Sequence, residues 1–248
     1  MSNALAIARK ELKVYYLSPL FYVVTALWVA LFAIFFDVNV LSSFTATLSN
    51  SFNIALFILL FVAPIITMRL ISQEKAQGTI ELLLTMPVRD VEVVVGKYLA
   101  AMTLFASMLS FTLVSVLILL WTSVNKVQFL FLKVGHVDVG PLIAGYVGFL
   151  LIGGGYMAIG MFASSLTGNQ ILAAFVGFAM VLVVLVSGSI ADVFQPPISD
   201  FLTFIGSNQH VSNFGNGLIS VPDVVYALTM IVVPLWFTVV VLGARRWH

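Results

Sequence analysis

Residues 171–190 read ILAAFVGFAMVLVVLVSGSI, an apolar run with no charged side chain and no proline. Its length matches the roughly 20 residues that an α-helix needs to cross about 30 Å of hydrocarbon. Membrane β-strands are about half as long and alternate apolar with polar residues, which this run does not do. Five further runs of the same kind lie at Leu20 to Val40, Phe52 to Met68, Val93 to Trp121, Pro141 to Ala163 and Val224 to Gly243. The expected fold is therefore an all-α membrane protein, a bundle of six transmembrane helices.

Composition agrees. The 248 residues are 61% hydrophobic and 8% charged, with mean hydropathy +1.13, against the roughly quarter-charged mix of soluble domains. A chain of this length holds about five to seven spans, which leaves no room for a soluble catalytic domain, so residues 1–248 read as one membrane domain. The net charge of +1 implies no nucleic-acid partner. Cysteine is absent, which removes disulfides and thiolate metal sites.

Lys and Arg resist translocation and so set orientation. With both termini in the cytoplasm, Arg9, Lys10, Lys13, Arg69, Lys75, Arg89, Lys97, Arg245 and Arg246 fall inside, leaving only Lys126 and Lys133 outside. Residues 1–18 are read as an interfacial amphipathic helix rather than a cleaved signal, because the apolar run after Pro19 is long enough to span and no small-residue cleavage site follows it before Asp37. Leu5, Ala8, Leu12, Tyr15 and Tyr16 share one face of that helix, and Arg9, Lys10 and Lys13 lie on another. On the outer side, residues 191–223 mix short apolar patches with Pro196-Pro197 and an Asn- and Gly-rich stretch. That mixture predicts a segment dipping into the outer leaflet or capping the bundle.

Site chemistry is sparse. His136, His210 and His248 are scattered over loops and the C-terminus without a second ligand at metal spacing, and read as solvent or interface residues. No nucleophile elbow or paired carboxylates occur within a span, so neither a catalytic residue nor a metal site is expected. The third to sixth spans carry no charged residue in their interiors, which offers no evident ion pathway. Thr103, Ser107 and Ser110 share one face of the third span and are candidate pathway-lining residues, although such hydroxyls more often bond to their own backbone. The glycines of the fourth span, from Gly145 to Gly160, read as sites of close helix packing.

The polar island of residues 72–90, SQEKAQGTIELLLTMPVRD, is the exception in this apolar chain. Projected as a helix from Gln73 to Met86, it places Glu74, Gln77, Gly78, Glu81 and Thr85 on one face and Ala76, Ile80, Leu83, Leu84 and Pro87 on the other. Gly78 costs about 1 kcal/mol in a helix interior, which predicts a close-approaching surface there. Asp90 and Glu92 suit the positive end of the next helix.

Residues 74–88, with Val95-Gly96-Lys97 after them, resemble the permease subunits of ABC-2 type exporters, in particular the gliding-motility and nitrous-oxide-reductase-maturation types. Ile80 stands where that pattern has Leu. A second stretch, His210 through Phe214 with Gly217, Ile219, Asp223 and Tyr226, is similar to the family's segment before its last span. The resemblance implies a single transmembrane permease domain in the inner membrane of the cell, two copies or relatives of which form the pathway. Residues 72–90 would be its cytoplasmic coupling helix and loop, residues 191–223 its outer re-entrant segment. Glu74, Lys75, Gln77, Gly78, Thr79 and Glu81 would contact a separate ABC ATP-binding subunit, while Ile80, Leu83, Leu84 and Pro87 pack the helix against the spans. This chain has no phosphate loop, so ATP and Mg are expected on that partner and no cofactor or enzymatic activity here. Importer permeases place their Ile-x-Leu-Pro further from the loop glycine than Pro87 lies from Gly78, which favours export. A stand-alone secondary transporter or channel, or a non-transporting membrane scaffold, remains the alternative on residues alone.

Overall fold

The computed structural model describes residues 3–43, 48–79, 88–124 and 139–244, with side-chain surroundings for 3–36, 51–79, 88–117 and 140–244. The six expected spans are present in order. Helix α1 (Asn3–Tyr16) precedes α2 (Pro19–Ser43), α3 (Leu48–Thr67) and the short α4 (Arg69–Ala76). Then come α5 (Asp90–Val124), α6 (Val139–Leu166), α7 (Gln170–Ile190), the short α8 (Ile198–Ile205) and α9 (Ser207–Gly215), and α10 (Val221–Ala244). Among the described residues six helices are long and apolar enough to cross a membrane, and none of the elements is a strand.

Helix α6 is the most enclosed span, packed by α3, α5, α7, α9 and α10. Its glycines make this possible. Gly145 meets Phe52, Gly148 meets Phe214, Gly153 meets Phe105 and Gly155 meets Met230, each approach too close for a side chain at the glycine. An aromatic core of Trp28, Phe32, Phe52, Phe105 and Phe149 fills the space between α2, α3, α5 and α6. Large side chains facing single hydrogens give the interdigitation that membrane helices need, because lipid supplies no hydrophobic drive between spans.

Helix α1 and the last turn of α10 share one end of the bundle with α4. Gly243 lies beside Asp90 at the start of α5, and Gly168 lies beside Lys75. All basic residues that the structure describes (Arg9, Lys10, Lys13, Arg69, Lys75, Arg89 and Lys97) belong to elements at this end.

At the opposite end the chain turns back into the bundle. Gly217 lies against Pro141 at the start of α6, whereas Ser207 Oγ is 2.6 Å from the phenol oxygen of Tyr156, near the middle of that span. The α8–α9 turn therefore reaches well inside the helix ends, with Gly206 against Gly188 of α7. Such irregular backbone needs internal partners at membrane depth, and they are here. Tyr226 donates its hydroxyl to Ile205 O at 2.6 Å, His210 Nε2 donates to Phe204 O at 3.0 Å, and His210 Nδ1 lies 2.5 Å from Asp223 Oδ1. Asn213 and Ser220 also donate to the Asp223 carboxylate, and the His210 ring stacks on Tyr226 at 3.9 Å. The expectation of a solvent or interface histidine thus fails for His210, which lies on α9 and is buried in a hydrogen-bonded cluster. His136 and His248 lie outside the described residues.

Candidate functional site

Helix α4 begins one turn residue after α3, and Met68 at its N-cap supplies no side-chain bond. The first N–H groups of any helix need acceptors from elsewhere. Here Ser164 of α6 provides one, its hydroxyl accepting from Ile71 N at 3.2 Å and Ser72 N at 3.0 Å while donating to Met68 O at 2.9 Å. A neighbouring span thus caps α4 and fixes its position. Leu70, Ile71 and Ser72 are buried against the bundle.

The helix stops where the sequence projection runs on. Ala76 is its last residue, Gln77 is the C-cap, and Gly78 follows at φ +68°. That left-handed conformation is the common way to end a helix, and glycine reaches it without a Cβ penalty. The expected single helix from Gln73 to Met86 is therefore broken at Gly78. The reason given for this glycine also changes, because a Cβ added there would meet nothing within 4 Å. Backbone conformation, not a close neighbour, requires it. Ala76 is exposed instead of facing the spans, and Gln77, Gly78 and Thr79 are exposed with it. The Thr79 hydroxyl donates to Glu74 O at 3.3 Å, closing the turn.

Glu74 and Lys75 turn inward. Lys75 Nζ donates to Ser165 O in the last turn of α6, where a cation suits the negative end of the helix. Glu74 Oε1 lies 2.8 Å from Lys97 Nζ, and Glu11 Oε1 lies at the same distance on α1. The Lys97 side chain is 1% exposed, against 12% for Glu11 and 14% for Glu74. One buried ammonium thereby joins α1, α4 and α5. Such a charge persists in low dielectric only when paired, so the three elements hold one another in register. Gly96 admits the contact: a Cβ there would sit 2.6 Å from Ala4 O and 3.0 Å from Ile7 Cβ.

Further ties brace α1. Asn3 donates to the Glu92 carboxylate at 3.2 Å, and Glu92 accepts Arg89 N at 3.0 Å as half of a capping box for α5. Tyr15 donates to Ile66 O at 2.6 Å, and Arg69 lies 5.7 Å above its ring. Burial, and secondarily the Glu11 carboxylate, push the Tyr15 phenol well above its ordinary range, with Arg69 acting in the opposite direction. Of the face assigned to α1, Ala8 and Tyr15 are buried and Leu12 half-buried, whereas Leu5 and Tyr16 are exposed. A cavity of about 370 Å³ opens between α1 and α4, lined by Lys10, Glu11, Arg69, Glu74, Gln77 and Lys97.

Other expected site residues lie elsewhere. Thr103, Ser107 and Ser110 donate to Leu99 O, Leu104 O and Ser107 O, each at 2.7 Å, satisfying their own helix. Ile80, Glu81, Leu83, Leu84 and Pro87 lie outside the described residues. No group of three or more potential metal ligands occurs among the described residues. Lys97 and Glu11 were not among the site residues expected from sequence. A lysine close to the start of an apolar span was the available signal, but its two partners come from distant segments.

A search of the curated proteins finds no match. A family model described as "ABC-2 family transporter protein" matches residues 5–247. The match takes in the terminal-end site, all six spans and the turned-back segment, and on that ground the chain belongs to the ABC-2 transporter family as a multi-pass membrane permease.

Proposed function

We propose that this chain is the permease subunit of an ATP-driven ABC-2 exporter, acting as a dimer in the inner (cell) membrane, with its termini and α4 in the cytoplasm. A separate ATP-binding subunit, carrying ATP and Mg, would dock on the exposed Gln77-Gly78-Thr79 turn. The observation that carries this reading is the way α4 is held. Its tip is exposed, yet its body is capped by Ser164 and joined by Lys97 to both α1 and α5. A push on the turn therefore moves spans instead of bending a loop. The orientation rests on the described basic residues, all of which belong to elements at the terminal end.

The test uses the backbone requirement at Gly78. Asn tolerates the left-handed region and a β-branched residue does not. Gly78→Asn should keep an ATP-binding subunit bound through purification and keep its ATPase rate responsive to the permease. Gly78→Val should weaken both while the protein still inserts and elutes as wild type. If Gly78→Val leaves copurification and ATPase response unchanged, the turn is not the docking point.

A further inference from the structure

We propose that the cavity between α1 and α4 holds the headgroup of a resident phospholipid that bears a primary ammonium, with its phosphate at Arg69 and Lys10 and its ammonium at Glu11 and Glu74. The cavity, about 370 Å³, falls within the size range of small-ligand sites.

Charge is unbalanced in two places here. Glu11 and Glu74 each use one oxygen on the same Lys97 ammonium, so two carboxylates share one cation. Among the described residues nothing donates to the second oxygen of either, and such nearly buried carboxylates have little water to take a donor's place. Arg69 has the opposite deficit. Its guanidinium reaches Ser18 Oγ at 3.2 Å, Gln73 Oε1 at 3.4 Å and the face of Tyr15, all neutral groups. Neither Arg69 nor Lys10 forms an ion pair among the described residues. A ligand with one anion and one N–H cation answers both deficits at once. An anion alone leaves the carboxylates short of a donor, and a quaternary ammonium has no N–H to give.

The source is the membrane. Ser18 immediately precedes Pro19, where the first span begins, so the Arg69 guanidinium bonded to it sits at headgroup level, the usual depth for such a side chain. Lys10, Val14 and Leu17 follow one another at helical spacing along one side of α1. Val14 belongs to the cavity wall and Leu17 beyond it is 84% exposed, which offers apolar surface to an acyl chain. Seated there, the headgroup ties α1 to α4 beside the Lys97 joint. The site stands on these contacts alone; its assignment to the cytoplasmic leaflet rests on the orientation proposed above.

The experiment takes the purified, delipidated full chain in detergent and adds phosphatidylethanolamine, its N-methyl and N,N-dimethyl forms, phosphatidylcholine or phosphatidylglycerol, all with the same acyl chains. Native mass spectrometry reads the lipid retained. Retention should fall along the methylation series, and phosphatidylethanolamine should bind at least about tenfold more tightly than phosphatidylcholine or phosphatidylglycerol. Lys10→Gln, at an exposed position, should weaken it about threefold to fivefold with elution unchanged; Lys10→Gln/Arg69→Gln should weaken it at least about tenfold. Equal retention of phosphatidylethanolamine and phosphatidylcholine, a preference for phosphatidylglycerol, or retention unchanged in both variants would each overturn the inference. So would an equal loss from Lys13→Gln, which is exposed but outside the cavity lining, or competition by soluble phosphoethanolamine at the affinity of the lipid. Loss of the ATP-binding subunit from Lys10→Gln, with no lipid preference in the wild type, would assign the cavity to that subunit instead. Selective lipid retention by a protein that binds no ATP-binding subunit would refute the exporter reading and leave the lipid site standing.

Discussion

Replacing Lys97 with methionine tests whether the three-way joint holds α1, α4 and α5 together. Methionine keeps much of the volume and removes the charge, leaving Glu11 and Glu74 facing each other with 12% and 14% of their side chains exposed. Breaking a buried pair by removing one partner costs about 3–5 kcal/mol. The carboxylates retain some contact with the adjoining cavity, which places the expectation near the lower end, about 3 kcal/mol. For a chain of this size that corresponds to roughly 6–12 °C in the midpoint of thermal unfolding, read by loss of monodisperse protein after heating. The triple variant Glu11→Gln/Lys97→Met/Glu74→Gln removes the stranded charges as well and should recover most of the loss, since a neutral replacement of a buried ion pair is often tolerated. The two variants also separate stability from coupling. The triple variant should be stable yet show a weaker ATPase response to the permease, because α4 is no longer joined to α5 by charge. A Lys97→Met midpoint within about 2 °C of wild type, taking the same scale, would refute the argument that this ammonium sustains the joint.

Two further outcomes follow from other parts of the molecule. His210→Leu leaves the Asp223 carboxylate without its 2.5 Å partner and should destabilise by about 2–3 kcal/mol; His210→Leu/Asp223→Leu should recover part of this, and additive losses in that cycle would contradict direct coupling. Tyr15→Phe loses the 2.6 Å bond to Ile66 O and should cost about 1–2 kcal/mol near neutral pH. Since burial favours the neutral Tyr15 phenol, its contribution is complete below the ordinary phenol range of about 10 and is lost as pH rises beyond it. Melting midpoints at about pH 8 and pH 10.5 should therefore converge between wild type and Tyr15→Phe, and a constant gap would contradict the assignment.

The six spans were legible because hydrocarbon thickness sets a length that any apolar run either meets or misses. Sequence and structure agree on these to within a few residues: Ile171 to Ile190 was expected and Gln170–Ile190 is observed. A helix before the first span (Asn3–Tyr16), the end of the bundle carrying the described basic residues and a segment that turns into the bundle before α10 are also present in the structure, and their signals, charge and apolar length, are local properties. Periodicity could not show that the helix from Gln73 breaks at Gly78, because a projection assumes the helix it projects. The φ of +68° there decides it. Nor could sequence pair Lys97 with Glu11 and Glu74, cap α4 with Ser164, or bury His210 against Asp223. Each joins residues from separate elements, and in low dielectric a charge or an unpaired N–H takes whichever partner the packed bundle brings within reach. Length and charge along the chain thus determined that this protein is a six-span membrane bundle with a polar site at one end. Tertiary contact alone decided which side chains turn inward to brace that site and which remain outside to be met.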